Sequence, residues 1–178
     1  MASYVTPTIA IDLAEPNDSV FGRENGDPLK FNVPTEVKKL YTGDYSVVGL
    51  EHLFAVELKK INDIVACCCS KSGKENRERF ERELNRLRGY RFARVLIIGS
   101  YRDLLEGNYR SKMNPVSVTH SLSSFTARYG TVPILFAKTP QKAVMMIEEW
   151  AASFSREIMK EYSALMKSSP QLKDGWKL

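Results

Sequence analysis

The chain has 178 residues, of which 43% are hydrophobic and 26% are charged. This composition suits one globular domain with a substantial core, and no run of about 18 apolar residues predicts a membrane span. The net charge of +5 favours a polyanionic partner without identifying one, and the N-terminus lacks the basic and apolar regions of a secretory signal. We therefore expect an intracellular protein with no membrane contact, built as a single domain over residues 1–166 with a polar tail over 167–178.

The first element in chain order is a short β-strand, predicted for residues 7–12 (PTIAID). A polar segment containing Gly and Pro follows as far as about residue 31, and its composition indicates a loop. Residues 43–60 (GDYSVVGLEHLFAVELKK) then predict a β-hairpin with its turn near Leu50 and Glu51. The charged side chains of this hairpin are the first candidates for a functional site.

Simple antiparallel pairing in residues 43–60 places Asp44 opposite Glu57 and Thr42 opposite Lys59. Opposed side chains have Cβ atoms roughly 4.5–5.5 Å apart, so two carboxylates there need a neutralising cation. Lys59 lies on the same face as Glu57 and supplies one charge, whereas Mg²⁺ or Mn²⁺ would supply more. Such a grouping predicts a hydrolytic site for phosphodiesters. An amphipathic strand whose polar face meets solvent explains the same pattern, because register can slip, and spacing alone leaves both interpretations open.

Helical spacing begins at Asn62, breaks at Ser72-Gly73 and resumes over residues 74–88. The three cysteines are consecutive at 67–69, which suits neither a disulfide framework nor a zinc site. We therefore interpret them as small apolar side chains buried on a helix.

Basic residues are concentrated around the second of these helices. Nine Lys and Arg side chains lie between residues 71 and 94, with acidic residues interleaved. Taken alone, this segment is typical of a solvated helix face, with a phosphate-binding surface as the alternative.

The second half of the chain alternates strands and helices. Continuous apolar runs predict buried strands at 94–99 (RVLIIG) and 132–137 (VPILFA), with a helix over 115–129 between them. A long helix follows Pro140, and its apolar stripe indicates either core or a dimer face. The stripe comprises Val144, Ile147, Ala151, Phe154, Ile158, Tyr162 and Leu165. The order of elements predicts an α/β domain with a mixed sheet flanked by helices.

Several segments together resemble one nuclease family. Gly43-Asp44 followed by VELKKIND at 56–63 resembles the signature G-D, a gap, E-R-K, three residues, D. This signature marks the nuclease domain of the XPF and Hef group of structure-specific DNA endonucleases, in the PD-(D/E)XK superfamily. The likeness extends over most of residues 7–165. It includes IAIDLAEP, which resembles a strand ending in D-x-R-E, the arginine-rich helix, RVLIIG, YRSKMNPVSVTHSL and RYGTVPILFAKTP.

The resemblance implies a restriction-endonuclease-like core and assigns roles to four residues. Asp44 and Glu57 would be metal ligands and Lys59 the catalytic lysine. Asp12 would be a further catalytic acid near the metal, and the metal would be Mg²⁺ or Mn²⁺.

Two further acids match the family pattern with less defined roles. Asp63 matches the last acid of the signature, but it would serve equally to support the N-terminus of the following helix. Glu15 matches the second acid of D-x-R-E, or it is simply a loop residue. Two family arginines are replaced here, by Leu58 and by Ala14. Period-two geometry puts Leu58 on the face opposite Glu57, so its replacement need not affect the metal site.

The implied activity is hydrolysis of branched, flap or fork DNA by metal-activated water, leaving a 5′ phosphate. Members of the family commonly carry C-terminal helix-hairpin-helix elements that grip DNA, and this sequence contains none, so DNA binding would fall to its own basic face or to a protein partner. Arg77 and Arg79 are the first candidates for phosphate contacts, followed by Lys74 and Arg82.

The resemblance also implies partners and alternatives. A homodimer through the C-terminal helices is expected by analogy with the family. A bacterial or phage setting is favoured for such a short version, with a nuclear location if the source is eukaryotic. A catalytically weak DNA-binding or scaffold subunit is one alternative function, and a resolvase or restriction-type nuclease of the same superfamily is another.

Overall fold

The structure, a computed structural model, describes residues 6–13, 31–69 and 74–169. The strands are β1 (Ile9–Asp12), β2 (Thr35–Lys38), β3 (Tyr45–Val47), β4 (Phe54–Lys60), β5 (Phe92–Ile98) and β6 (Ile134–Ala137). The helices are α1 (Ile61–Cys68), α2 (Lys74–Leu87), α3 (Tyr101–Glu106), α4 (Pro115–Arg128) and α5 (Pro140–Ser168). The predicted break at Ser72-Gly73, together with Ala14 and Glu15, lies outside the described residues.

The strands of the described residues form a single sheet in the order β2-β1-β3-β4-β5-β6. Strand β3 runs antiparallel to both of its neighbours, whereas β1–β2, β4–β5 and β5–β6 pair in parallel. The carboxyl ends of the five parallel strands therefore meet the beginning of β3 at one edge of the sheet. The predicted α/β class, with a mixed sheet flanked by helices, is confirmed.

The hairpin of β3 and β4 has the predicted register. Tyr45 pairs with Val56, as that register requires. Asp44 lies in a bend immediately before β3, and its backbone N–H donates to the carbonyl of the same Val56 at 2.9 Å, so the regular ladder ends at Tyr45 and the predicted opposed pair of Asp44 and Glu57 is not part of it. The turn spans residues 48–53 and so includes the predicted centre.

Helices cover both faces of this sheet. On one face, Ala55 of β4 packs with buried residues of α1, α2 and α4. On the other face, Val56 and Leu58 pack with buried residues of α5. Because side chains alternate along a strand, Glu57 faces α1, α2 and α4, and Leu58 lies on the opposite face as predicted.

The consecutive cysteines lie at the end of α1. Cys67 and Cys68 are buried free thiols, and Cys69 is half-buried. Burial raises the pKa of Cys67 to about 11 and that of Cys68 to about 12. The first two are therefore unreactive apolar core residues, which confirms the sequence interpretation for them.

Helix α5 divides its apolar stripe between two environments. Val144, Ile147 and Ala151 are buried against the sheet, whereas Tyr162 and Leu165 are 56% and 51% exposed. The first half of the stripe is therefore core. Within the described residues, no helix is both long enough and apolar enough to cross a membrane.

Sequence reasoning misses two short elements, β2 and α3. Strand β2 has four residues that are exposed or half-buried, so its sequence carries no alternating pattern. Helix α3 has only six residues, but a capping box between Ser100 and Asp103 begins it and a left-handed Gly107 ends it. At the other end of the chain, α5 runs to Ser168 and so includes the first residues of the predicted tail.

Candidate active site

Asp44 is set in place by the glycine that precedes it. Gly43 has φ +81°, and a Cβ on it would lie 3.0 Å from the carbonyl oxygen of Val56, so a side chain there would be both strained and crowded. Asp44 is 8% exposed as a residue, and its Oδ2 accepts a hydrogen bond from the backbone N–H of Leu58 at 2.6 Å. The G-D dipeptide thus has a physical reason: it lets a buried carboxylate lie against β4.

Glu57 and Lys59 come from β4, on the face that meets α2. Glu57 is 7% exposed. The Nζ of Lys59 donates to its Oε1 at 2.7 Å. The structure therefore brings Asp44, Glu57 and Lys59 together at one end of the hairpin.

Helix α2 completes the surroundings of Lys59. The Oε2 of Glu83 lies 3.0 Å from Nζ, and the ring of Phe80 lies below the ammonium at 5.2 Å. Burial lowers the pKa of Lys59, but attraction to Glu57 and Glu83 outweighs it, so the pKa lies well above its ordinary value. Lys59 is consequently a fixed cation at neutral pH.

These side chains border a cavity of about 450 Å³. Asp12 lies on its wall at the end of β1, where its backbone N–H donates to the carbonyl of Asp44 at 2.9 Å and its Oδ1 accepts from Leu40 N–H at 2.7 Å. The full lining is Asp12, Leu40, Tyr41, Thr42, Gly43, Asp44, Glu57, Leu58, Lys59, Lys60, Asp63, Arg79, Glu83 and Arg86.

The donor set at the cavity consists of hard carboxylate oxygens. In residues 6–13, 31–69 and 74–169, no three His, Cys, Asp or Glu side chains are close enough to form a metal site on their own. Asp12 lies on the wall of the same cavity as Asp44 and Glu57, and its part in metal binding stays a prediction. A pair of carboxylates still fits Mg²⁺ or Mn²⁺, because these ions typically take one or two protein carboxylates together with water and substrate phosphate.

Asp63 is exposed in the first turn of α1 and also lines the cavity. Its position is compatible with both roles considered above, support of the helix N-terminus and participation in the site. Glu15 lies outside the described residues.

The arginine-rich helix presents two different faces. The guanidinium of Arg77 lies 4.7 Å from the ring centroid of Phe125, pairs with Glu81 at 3.2 Å and reaches the carbonyl of Cys68 at 3.4 Å. Arg77 thus ties α2 to α1 and α4. Arg79, by contrast, is exposed and lines the cavity.

Of the remaining predicted DNA contacts, Arg82 is exposed on α2 three residues beyond Arg79. Lys74 is exposed at the helix start and pairs with Glu78 at 3.5 Å. On α2, the cavity residues Glu83 and Arg86 are absent from the sequence-predicted set. Helical spacing is the sequence signal that could have identified both residues, because they lie four and seven positions after Arg79 and therefore share its face of the helix.

Three comparisons with known proteins bear on this site. The family model described as ERCC4 domain matches residues 21–149. A comparison with curated proteins finds no match.

Among solved structures, XPF from Aeropyrum pernix is similar with a TM-score of 0.55 and 18% sequence identity, covering 90% of this chain and 71% of that one. The structure titled XPF from Aeropyrum pernix in complex with DNA is similar with a TM-score of 0.57 and 19% identity, covering 85% of this chain and 66% of that one. At these identities the structural likeness concerns the fold, whereas the family model spans well over half of the sequence. The chain belongs to the ERCC4 domain family, a family of structure-specific DNA nucleases.

Proposed function

We propose that this chain is a metal-dependent endonuclease that cuts branched, flap or fork DNA. Membership of the ERCC4 domain family supports nuclease activity. The observation that carries the proposal is the pairing of two buried carboxylates, Asp44 and Glu57, beside Lys59 at the edge of an open cavity. Buried like charges are costly, and a site that keeps them needs a cation.

Asp44 and Glu57 would hold Mg²⁺ or Mn²⁺, with Asp12 contributing from the neighbouring strand end. When bound, a divalent ion supplies positive charge to the scissile phosphate and acidifies water for attack on phosphorus. The Leu58 N–H fixes one Asp44 oxygen at 2.6 Å. This hydrogen bond orients the carboxylate toward the cavity before any ligand arrives.

Lys59 would act as a cation, because the carboxylates of Glu57 and Glu83 hold its ammonium at the cavity. Its hydrogen-bond donors would orient the attacking water or stabilise charge that develops on the phosphate oxygens. The Phe80 ring and the surrounding helices exclude bulk solvent from one side of Nζ, which strengthens that interaction.

The DNA backbone would lie along the exposed side of α2. Arg79 and Arg82 are exposed there, with Lys74 at the start of the helix. Such contacts are independent of sequence and sensitive to salt. Arg77 is a weaker candidate, because its guanidinium already serves the packing of α2 on α4.

The exposed half of α5 suits a homodimer. Met159, Tyr162 and Leu165 are each more than half exposed, and burial of such side chains against a second copy would stabilise an assembly. A protein partner that contributes DNA specificity would bury the same side chains. Activity on DNA would take place inside the cell, in the cytoplasm of a bacterium or of a phage-infected host, or in a nucleus if the source is eukaryotic.

The proposal is tested by incubating the chain with labelled single-stranded, duplex, flap, fork and four-way junction DNA. Each substrate is tested with Mg²⁺, with Mn²⁺ and with EDTA, and the product ends are mapped. We expect metal-dependent cutting of the branched substrates that leaves a 5′ phosphate. Salt-sensitive binding without cutting would contradict the proposal and favour the scaffold function, whereas equal cutting of unbranched duplex would favour a restriction-type nuclease.

A further inference from the structure

Lys59 has a second carboxylate partner that the nuclease signature does not include. Its Nζ lies 2.7 Å from Glu57 Oε1 and 3.0 Å from Glu83 Oε2. The side chains of Lys59 and Glu57 are each 9% exposed, and that of Glu83 is 17% exposed. The two carboxylates belong to different elements, β4 and α2, so the ammonium is held between a strand and a helix.

The two contacts differ in kind. Lys59 donates an aligned hydrogen bond to Glu57. The buried Oε2 of Glu83 makes an ion pair with Nζ, but among the described residues it accepts no aligned hydrogen bond. An ammonium carries three N–H donors, so a small rotation about Nζ is enough to direct one of them at Glu83 Oε2, which lies 3.0 Å away.

Glu57 faces two demands in the proposed reaction. As a ligand it must give an oxygen to a divalent cation, yet the same carboxylate also binds the Lys59 ammonium. A divalent cation and an ammonium at one carboxylate repel each other, and in a partly buried site this repulsion is screened less than in water. The lysine therefore needs another anion that leaves Glu57 to the metal.

We propose that Glu83 is the positioning residue that holds Lys59 when Glu57 binds the metal. By accepting the ammonium, Glu83 lowers the competition for Glu57 and keeps Nζ within the cavity, where the scissile phosphate would lie. Phe80 supports this arrangement from the same helix, because its ring limits the space on one side of Nζ. This inference rests on the proposed function, since it assigns a role within the same site.

The proposal is tested first by titrating Mn²⁺ without DNA. The electron paramagnetic resonance signal of the free ion monitors how much Mn²⁺ is bound. Four proteins form a double-mutant cycle: the unaltered chain, Glu83→Gln, Lys59→Met and the double variant. We expect Glu83→Gln to weaken Mn²⁺ binding about 3- to 10-fold, because Lys59 is then left with Glu57 as its anion. In the Lys59→Met background the same substitution should have little effect.

A matched control separates this role from the loss of one negative charge. Glu157 on α5 pairs with Lys160 at 2.7 Å, but both side chains are more than half exposed. Glu157→Gln removes an ion-paired carboxylate far from the cavity, and we expect Mn²⁺ affinity to be unchanged. Glu83→Asp retains the charge and should recover part of the affinity; it also provides a test if Glu83→Gln does not fold.

Cutting of fork DNA supplies a second readout. At saturating Mn²⁺, Glu83→Gln should lower kcat about tenfold and leave the KM for DNA unchanged, because the lysine is misplaced and the DNA surface is intact. A substitution that acted only on folding would lower the amount of folded, active protein. Each molecule that did fold would still bind Mn²⁺ with unchanged affinity.

The inference would be overturned on its own if the unaltered chain bound Mn²⁺ and cut DNA while Glu83→Gln matched it in both. It would also fall if Glu83→Gln weakened Mn²⁺ binding equally with and without Lys59, since the effect would not then pass through the lysine. A chain that neither bound Mn²⁺ nor cut any DNA would overturn the proposed function, and this inference with it.

Discussion

Among the residues that the structure describes, Lys38 and Lys59 each lie between a pair of glutamates, but the two lysines differ in burial. Lys38, on the edge strand β2, lies 2.7 Å from Glu51 and 3.2 Å from Glu36. Lys59, on the central strand β4, has almost the same distances to its two partners. Yet the Lys38 side chain is 34% exposed, whereas that of Lys59 is 9% exposed.

The comparison shows that similar ion-pair geometry occurs in two different electrostatic environments. Around Lys38, water and salt screen the charges, so the group behaves as an ordinary surface network. Around Lys59, burial makes each charge expensive to leave unmatched and strengthens its action on anything that enters the cavity. If burial separates a functional site from a surface feature, substitutions around Lys59 should affect metal binding and cutting, and the same substitutions around Lys38 should not.

The largest expected effect is on DNA cutting when the buried lysine is removed. Lys59→Ala deletes the cation that we propose to lie beside the scissile phosphate, and we expect the cutting rate to fall about 10²- to 10³-fold, as for the loss of one group that stabilises developing charge. The measurement is single-turnover cutting of labelled fork DNA. Lys38→Ala is the control and should cut at the unaltered rate. An equal loss of cutting rate in both variants would contradict the proposed difference between the buried and the exposed lysine.

The next largest effect is expected on Mn²⁺ affinity, when the glutamate that lies 2.7 Å from each lysine is changed: Glu57 beside Lys59 and Glu51 beside Lys38. Glu57→Gln keeps the shape of the side chain but removes a hard anionic ligand, so we expect Mn²⁺ affinity to fall about 10- to 100-fold, a typical loss for a disturbed metal site. Glu51→Gln makes the same substitution beside Lys38 and should not alter affinity. Calorimetric titration of both variants with Mn²⁺ provides the test, and unchanged binding by Glu57→Gln would remove it from the ligand set.

Stability should change by a smaller amount. Lys59→Met leaves two partly buried carboxylates facing each other, and we expect the free energy of unfolding to fall by about 1–3 kcal/mol. Because the folded-state pKa of Lys59 is raised, its contribution is fully present below the ordinary value of 10.5 and is lost as the pH rises through the folded-state pKa. Urea unfolding of both proteins should therefore show a difference that is constant from about pH 7 to 9.

One result would contradict that pH dependence. A stability difference that kept growing toward pH 9, above the range in which the facing carboxylates of the Lys59→Met variant take up protons, would mean that Lys59 is less readily protonated in the folded chain. The ion pairs would then not compensate for burial, and the contrast with Lys38 would lose its physical basis.

The smallest expected effect separates the two faces of α2. Arg79→Ala should weaken DNA binding a few-fold and reduce the slope of log affinity against log salt by about 1, because one phosphate contact is lost. Arg77→Ala should instead lower thermal stability and leave that slope unchanged, since its guanidinium packs on Phe125. Fluorescence anisotropy over a range of salt concentrations measures both, and identical slopes for Arg79→Ala and the unaltered chain would refute the contact.

Much of the fold follows from local sequence. The period-two pattern around Asp44 and Glu57 gives the hairpin register, and continuous apolar runs give β5 and β6. The missed elements lack such patterns. Strand β2 is an exposed edge of four residues whose pairing with β1 is set by tertiary contacts, and α3 is too short to show a helical period.

The candidate site is harder to predict from sequence because it is built from separate elements. Asp44, Glu57 and Lys59 were predicted together because they share one hairpin. Glu83 lies in a separate helix, and its proximity to Lys59 depends on how α2 packs on the sheet, which no local pattern encodes. Arg77 shows the converse error: sequence reasoning included a residue whose side chain packs on Phe125. A basic residue in an arginine-rich helix is indistinguishable from a surface charge until its packing is known.

The central claim is that Asp44 and Glu57 share one divalent cation at the edge of the hairpin. The most direct test is a crystal grown with Mn²⁺ and measured for anomalous scattering near the manganese absorption edge. We predict an anomalous peak bonded to oxygens of both carboxylates, at about 2.0–2.2 Å for a small hard divalent ion, with the Lys59 ammonium turned toward Glu83. A peak bonded to other residues, or none while Lys59 still binds Glu57, would contradict it.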